Sequence, residues 1–122
     1  MSTTSPHGQT WVYLDIARAM EQIGSVDSLR SMLPMLQELL ERDLPQIEHF
    51  LAQDDVRSAN PLLHSLKGCM PIFCAPALCE HLADVEKLSK AGGSAEVGGA
   101  YAQLRPKLQH LQQEVALYLS QS

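Results

Sequence analysis

From Trp11 onward the apolar residues of this chain recur at intervals of three and four, and no stretch alternates with a period of two. That spacing lines one face of helix after helix with apolar side chains and leaves no half-buried strand. The expected fold is therefore all-α: an antiparallel four-helix bundle with a short additional N-terminal helix. At 122 residues the chain is long enough for a single core and too short for two. Residues 1–9 are small and polar, broken by Pro6 and Gly8, and read as a disordered tail; residues 10–122 read as the bundle.

A first helix is expected from Tyr13 to Ile23, stopped by Gly24. The second opens near Asp27 and carries Leu29, Leu33, Leu36, Leu40, Ile47 and Phe50 or Leu51, with Pro45 kinking or dividing it. The third starts near Asp54 and reaches about Met70, where Pro71 disfavours continuation. Asn60 as an N-cap with Pro61 at the first helical position would split it in two. A fourth runs from Pro76 to about Ala91, ended by Gly92-Gly93, with Leu78, Leu82, Val85 and Leu88 as its core row. The last carries Tyr101, Leu104, Leu108, Leu111, Val115 and Tyr118. Its start is open, because Gly98-Gly99 costs about 1 kcal/mol per glycine in a helix interior. Met32, Met35 and Met70 read as gap-fillers in the core.

Composition narrows the function. Hydrophobic content of 45% against 19% charged residues describes a folded domain, and a net charge of −5 argues against a nucleic-acid surface. No apolar run approaches the ~20 residues that cross a bilayer. MSTTSPHGQTW has no basic stretch followed by an apolar one, so no secretory signal is expected. Three cysteines make no disulfide framework. The expectation is a monomeric cytoplasmic protein. Cys69, Cys74 and Cys79, with His81 near, are spaced by five, which rotates each about 140° from the last on a helix, so no metal site is expected. The glycine pairs lack the Gly-Lys-Ser/Thr of a phosphate loop, so no ATP-dependent kinase activity is expected. His49, His81 and His110 have no motif around them and read as surface residues.

One segment carries possible chemistry. With His64 at zero on a helical wheel, Leu62, Leu66, Cys69 and Phe73 fall within about 40° of the opposite pole. His64 shares its side with Asn60, Lys67 and Gly68, and with Arg57 if the helix is continuous. It should face outward, beside a cation and a residue without a side chain. Gly68 leaves a dent through which another molecule can reach the imidazole, and Lys67 places positive charge beside any arriving anion. By composition and spacing alone, however, an ordinary surface histidine is the favoured reading.

The stretch His64-Ser65-Leu66-Lys67-Gly68, followed by Ala75, Leu78 and Glu86, resembles the signature of the histidine-phosphotransfer (HPt) family. That signature runs His-x-Leu-Lys-Gly-small-small, then Gly-Ala, a leucine three residues on, and Leu-Glu. The match is close from His64 to Glu86 and loose over residues 13–120. Cys69 and Met70 replace the small pair, Pro71 is inserted, Cys74 stands for the glycine and Val85 for the leucine. These departures concern the end of the third helix, not the acceptor face.

The resemblance implies a four-helix bundle that binds response-regulator receiver domains, those of hybrid sensor kinases included, and exchanges phosphoryl groups with their aspartates. His64 matches the phosphoacceptor, Lys67 the charge-balancing lysine and Gly68 the access glycine. Glu86 matches the polar residue that in some members accepts a hydrogen bond from the histidine Nδ1, and Lys90 a further basic position. A Glu86 acceptor would hold the tautomer whose Nε2 lone pair is free to attack phosphorus. The plainer reading of Glu86 is a solvated carboxylate pairing with Lys90 at i+4. Arg57, Asn60, Lys67, Gly68 and Lys90 are the expected partner contacts. No cofactor is expected on this chain; magnesium would come with the receiver. Two alternatives stand beside this reading: a phosphoacceptor domain fed directly by a histidine kinase domain, and an interaction scaffold with His64 chemically idle.

Overall fold

A computed structural model describes residues 3–4 and 10–121. Its helices are α1 (Ile16–Ile23), α2 (Val26–Ala52), α3 (Val56–Cys69), α4 (Pro76–Ala91) and α5 (Ser94–Ser120), with a single 3-10 turn at Met70–Ile72 between α3 and α4. Helix α3 packs between α2 and α4, α5 closes the ring against the same two, and α1 lies on α2. This is the expected four-helix bundle with a short N-terminal helix. The tail expected over 1–9 lies outside the described residues except for Thr3–Thr4 (β1), which pairs antiparallel with Thr10–Trp11 (β2).

Side-chain caps start three of the helices. Asp15 Oδ1 accepts from Arg18 N at 3.0 Å, Ser25 Oγ from Ser28 N at 3.1 Å, and Asp55 Oδ1 from Ser58 N at 3.2 Å. Gly24, at φ 92°, takes the left-handed conformation that ends α1. The far end of α5 is held by Arg30, whose guanidinium donates to the carbonyls of Tyr118 at 3.1 Å and Leu119 at 2.9 Å. Carbonyls of a last helical turn lack the usual i+4 donor, and Tyr118 O accepts in addition from the cap N–H of Gln121 at 3.2 Å.

Several expectations need correction. Helix α1 starts at Ile16, not Tyr13, because residues 11–15 form a non-helical strap, bent at Val12 and Tyr13. The Glu114 carboxylate on α5 accepts from the main-chain N–H of Val12 at 2.5 Å, Tyr13 at 2.8 Å and Leu14 at 2.9 Å. Leu14 bridges to Cys74, with Ala75 N donating to Tyr13 O and Asp15 N to Phe73 O, each at 2.8 Å. Trp11 and Leu14 are buried. Helix formation over these residues would forfeit all of those contacts. Glu114→Ala is expected to lower stability by about 2–3 kcal/mol, since buried donors lose their acceptor; the midpoint of urea unfolding reads it.

Pro45 does not divide α2, and Pro61 does not divide α3; both helices are continuous and both prolines are exposed. An interior proline costs about 3 kcal/mol. On α2 the buried stripe Leu29, Leu33, Leu36, Leu40, Leu44 and Ile47 runs through the proline, each residue contributing about 1.5–3 kcal/mol, and packing wins. The α3 N-cap is accordingly Asp55, not Asn60. For the same reason α5 starts at Ser94 and carries Gly98-Gly99 inside it. Met70 is buried and Met32 half-buried, but Met35 is exposed and fills no core gap. Leu88 is half-buried, and its place among the buried residues of α4 goes to Ser89. None of the helices described is long and apolar enough to cross a membrane.

Candidate functional site

Helix α3 turns its buried stripe further toward α4 than the wheel suggests. Its buried residues are Ala59, Leu63 and Leu66, continued by Met70, whereas Leu62 and Cys69 are half-buried on the opposite flank. At about 100° per residue this puts the core pole about 130° from His64, not opposite it. His64 consequently leans over the α3–α4 seam. Its side chain is 68% exposed, and a carboxylate rising from the seam reaches it.

That carboxylate is Glu86, fully buried on α4. Its Oε2 lies 3.7 Å from His64 Nδ1, 3.1 Å from Asn60 Nδ2 and 3.5 Å from Lys90 Nζ; its Oε1 lies 3.2 Å from Lys67 Nζ. The His64 contact is longer than a hydrogen bond, as acceptor-site contacts often are before a partner arrives. The solvated-carboxylate reading of Glu86 fails on burial, although its pairing with Lys90 is present. Burial pushes the Glu86 carboxyl up, but the hydrogen bonds from Lys67 and Asn60 and the charges of Lys90 and Lys67 outweigh it. The net effect holds it below the usual carboxylate range, hence ionised at neutral pH.

Gly68 is exposed one turn beyond His64, and a Cβ built there would meet nothing within 4 Å. With the Nδ1 edge of the ring turned to Glu86, the Nε2 edge is left to solvent and to whatever approaches past Gly68. Of the expected site residues, His64, Lys67, Glu86, Asn60 and Lys90 come together and Gly68 flanks them. Arg57 is exposed on α3, and no hydrogen bond or ion pair among the described residues joins it to the group.

Sequence reasoning missed Ser89, which is buried beside Glu86 and bonded to Asn60. The signal was a serine in the apolar half of α4, one turn after a glutamate. It also missed the buried carboxylates Asp43 and Glu114, each interrupting an apolar row. Cys74 is buried between α3 and α4, and Cys69 is half-buried. Burial pushes all three thiols up, Cys74 most, so none is a ready thiolate. Among the described residues no group of three or more His, Cys, Asp or Glu could hold a metal ion. His81 is half-buried rather than a surface residue, with Nδ1 3.0 Å from Lys107 Nζ. Its burial and Lys107, opposed by Asp84, lower its pKa, so the neutral ring accepts a hydrogen bond from the lysine ammonium.

An exposed imidazole thus stands against a buried carboxylate on the surface of a four-helix bundle. The chain matches the Hpt domain model over residues 31–114, and it belongs to that family. Its role is histidine phosphotransfer in phosphorelays, in which Hpt domains interact with receiver domains. No curated protein and no solved structure matches the chain.

Proposed function

We propose that the chain accepts a phosphoryl group on Nε2 of His64 from the phosphoaspartate of one receiver domain and passes it to the aspartate of another. The observation that carries this is the placing of the His64 ring: Nδ1 faces a buried, ionised Glu86, and the side chain is otherwise largely exposed, one turn from the open position at Gly68. In the step itself, the Nε2 lone pair attacks phosphorus while the bond from phosphorus to the aspartyl oxygen breaks. The carboxylate leaves with the electron pair and an N–P bond forms. Nδ1 keeps its proton, and Glu86 offsets the positive charge that develops on the ring. Lys67, one turn from His64, neutralises the incoming group, which is most of what phosphoryl transfer asks of a protein. The receiver contributes the magnesium ion.

The test is incubation with phosphorylated receiver domains. Acid-labile, alkali-stable label on this chain is the expected result. Label that arrives only from a histidine kinase with ATP, and never from a receiver, would contradict the relay. An absence of label from either source would leave an interaction scaffold.

Access at Gly68 makes a separate expectation. Open space around its Cα means that Gly68→Ala strains nothing and raises helix stability by up to about 1 kcal/mol. Gly68→Gln also improves the helix but extends a side chain across the approach to Nε2. Phosphotransfer should therefore slow in a protein whose melting temperature does not fall. Transfer at the parent rate would show that approach does not pass over this position.

A further inference from the structure

Asn60 was expected to touch the partner, yet its amide is turned inward. Nδ2 donates to Glu86 Oε2 at 3.1 Å and to Ser89 Oγ at 2.8 Å. Ser89 Oγ in turn donates its single hydrogen to the main-chain carbonyl of Glu86, at 2.5 Å. A hydroxyl has one hydrogen, so Ser89 can meet Asn60 only as an acceptor. The amide must therefore present nitrogen to α4; the flipped amide would set its oxygen against both Ser89 Oγ and a carboxylate. Ser89 is 5% exposed and Glu86 is fully buried, so water does not readily substitute for this arrangement.

The oxygen that Asn60 binds is the one that faces His64. Lys67 binds the other oxygen, and Lys90 is a long, exposed side chain. We propose that Asn60, locked by Ser89, is a positioning residue that keeps Glu86 Oε2 aimed at Nδ1 of His64. Lys67 can then leave Oε1 for the phosphoryl group without releasing the ring, because Asn60 and Lys90 remain on the carboxylate. The role in transfer rests on the function proposed above; the role in setting the ring does not.

The experiment compares Asn60→Asp, Asn60→Ala, Ser89→Ala and Lys67→Ala with the parent. The His64 tautomer is read from ring 15N shifts of the unphosphorylated protein at alkaline pH. Free imidazole side chains favour the proton on Nε2, so a parent held with the proton on Nδ1 is the expected signature of Glu86. Asn60→Asp is isosteric and sets a second carboxylate against Oε2. It should move the population toward Nε2–H, and Asn60→Ala and Ser89→Ala should do so in lesser degree. Lys67→Ala should leave the tautomer unchanged. Turnover with a phosphorylated receiver should fall about tenfold in Asn60→Asp with KM for the receiver unchanged, the scale of losing a supporting hydrogen bond behind a reactive ligand. A parental tautomer in both Asn60 variants, with a raised KM, would overturn the proposal and return Asn60 to the partner interface. If no receiver labels the parent protein, the relay falls, while the 15N result still decides what Asn60 does. Should Asn60→Asp fail to fold, Ser89→Ala decides in its place: a shift supports the lock, and a parental tautomer overturns it.

Discussion

His64→Gln is expected to abolish phosphoryl acceptance while leaving helicity and melting temperature at the parent values. Glutamine keeps a polar side chain of similar length but has no lone-pair nitrogen able to attack phosphorus. The loss should be complete and not partial, since among the described residues no second histidine stands beside a buried carboxylate that is free of other partners. His110 comes nearest to that description, 3.8 Å from Glu114, but Glu114 is committed to three main-chain N–H groups. Position 64 is largely exposed, and exposed substitutions change stability by about 0.5 kcal/mol or less. Label on the protein and its circular dichroism, measured on one preparation, separate the chemical effect from any unfolding. Undiminished labelling of the Gln variant would move the acceptor elsewhere.

Glu86→Gln should slow transfer by on the order of tenfold to a hundredfold, with a small effect on stability at neutral pH. The two effects part because the charged partners of Glu86 are half exposed. Lys67 and Lys90 keep 40% and 55% of their side-chain surface, so they rehydrate when the anion goes, and such pairs are worth about 0–1 kcal/mol. Glutamine can still accept from Asn60. What it cannot do is offset positive charge on His64 during transfer. The pH dependence carries the same signature. The carboxyl of Glu86 is held below its ordinary range in the folded chain, so the unfolded chain binds its proton more readily. Its contribution to stability is complete above the ordinary carboxylate range and is lost as pH falls through the lower, folded-state value. Acid unfolding curves of Glu86→Gln should lack that increment. A variant that transfers at the parent rate would remove Glu86 from the site.

Helix α4 shows what the residue pattern made legible: Pro76 at its first position and Gly92 after its last mark both ends, and its bounds match the expectation. The outward face of α3 was legible for the same kind of reason, since His64, Lys67 and Gly68 recur at helical spacing against an apolar stripe. What stayed hidden depends on partners distant in sequence. No local pattern says that the N–H groups of residues 12–14 are taken by a carboxylate on α5, which is why α1 begins later than its apolar spacing suggests. Proline and glycine rules describe isolated helices, and burial overrode them at Pro45, Pro61 and Gly98-Gly99. The rotation of α3 about its own axis decides whether Glu86 can reach His64 at all. It is set by packing against two neighbours and has no trace in the residues of α3 alone. Ser89 and the inward turn of Asn60 were lost for that reason too.

The position of the phosphoryl group on the ring is the most direct measurement of all. Phosphorylated by a receiver domain, 15N-histidine-labelled protein should show 31P–15N coupling to Nε2 of His64, with Nδ1 still bearing its proton toward Glu86. Phosphorus on Nδ1, or on any residue other than His64, would contradict the polarity of the site.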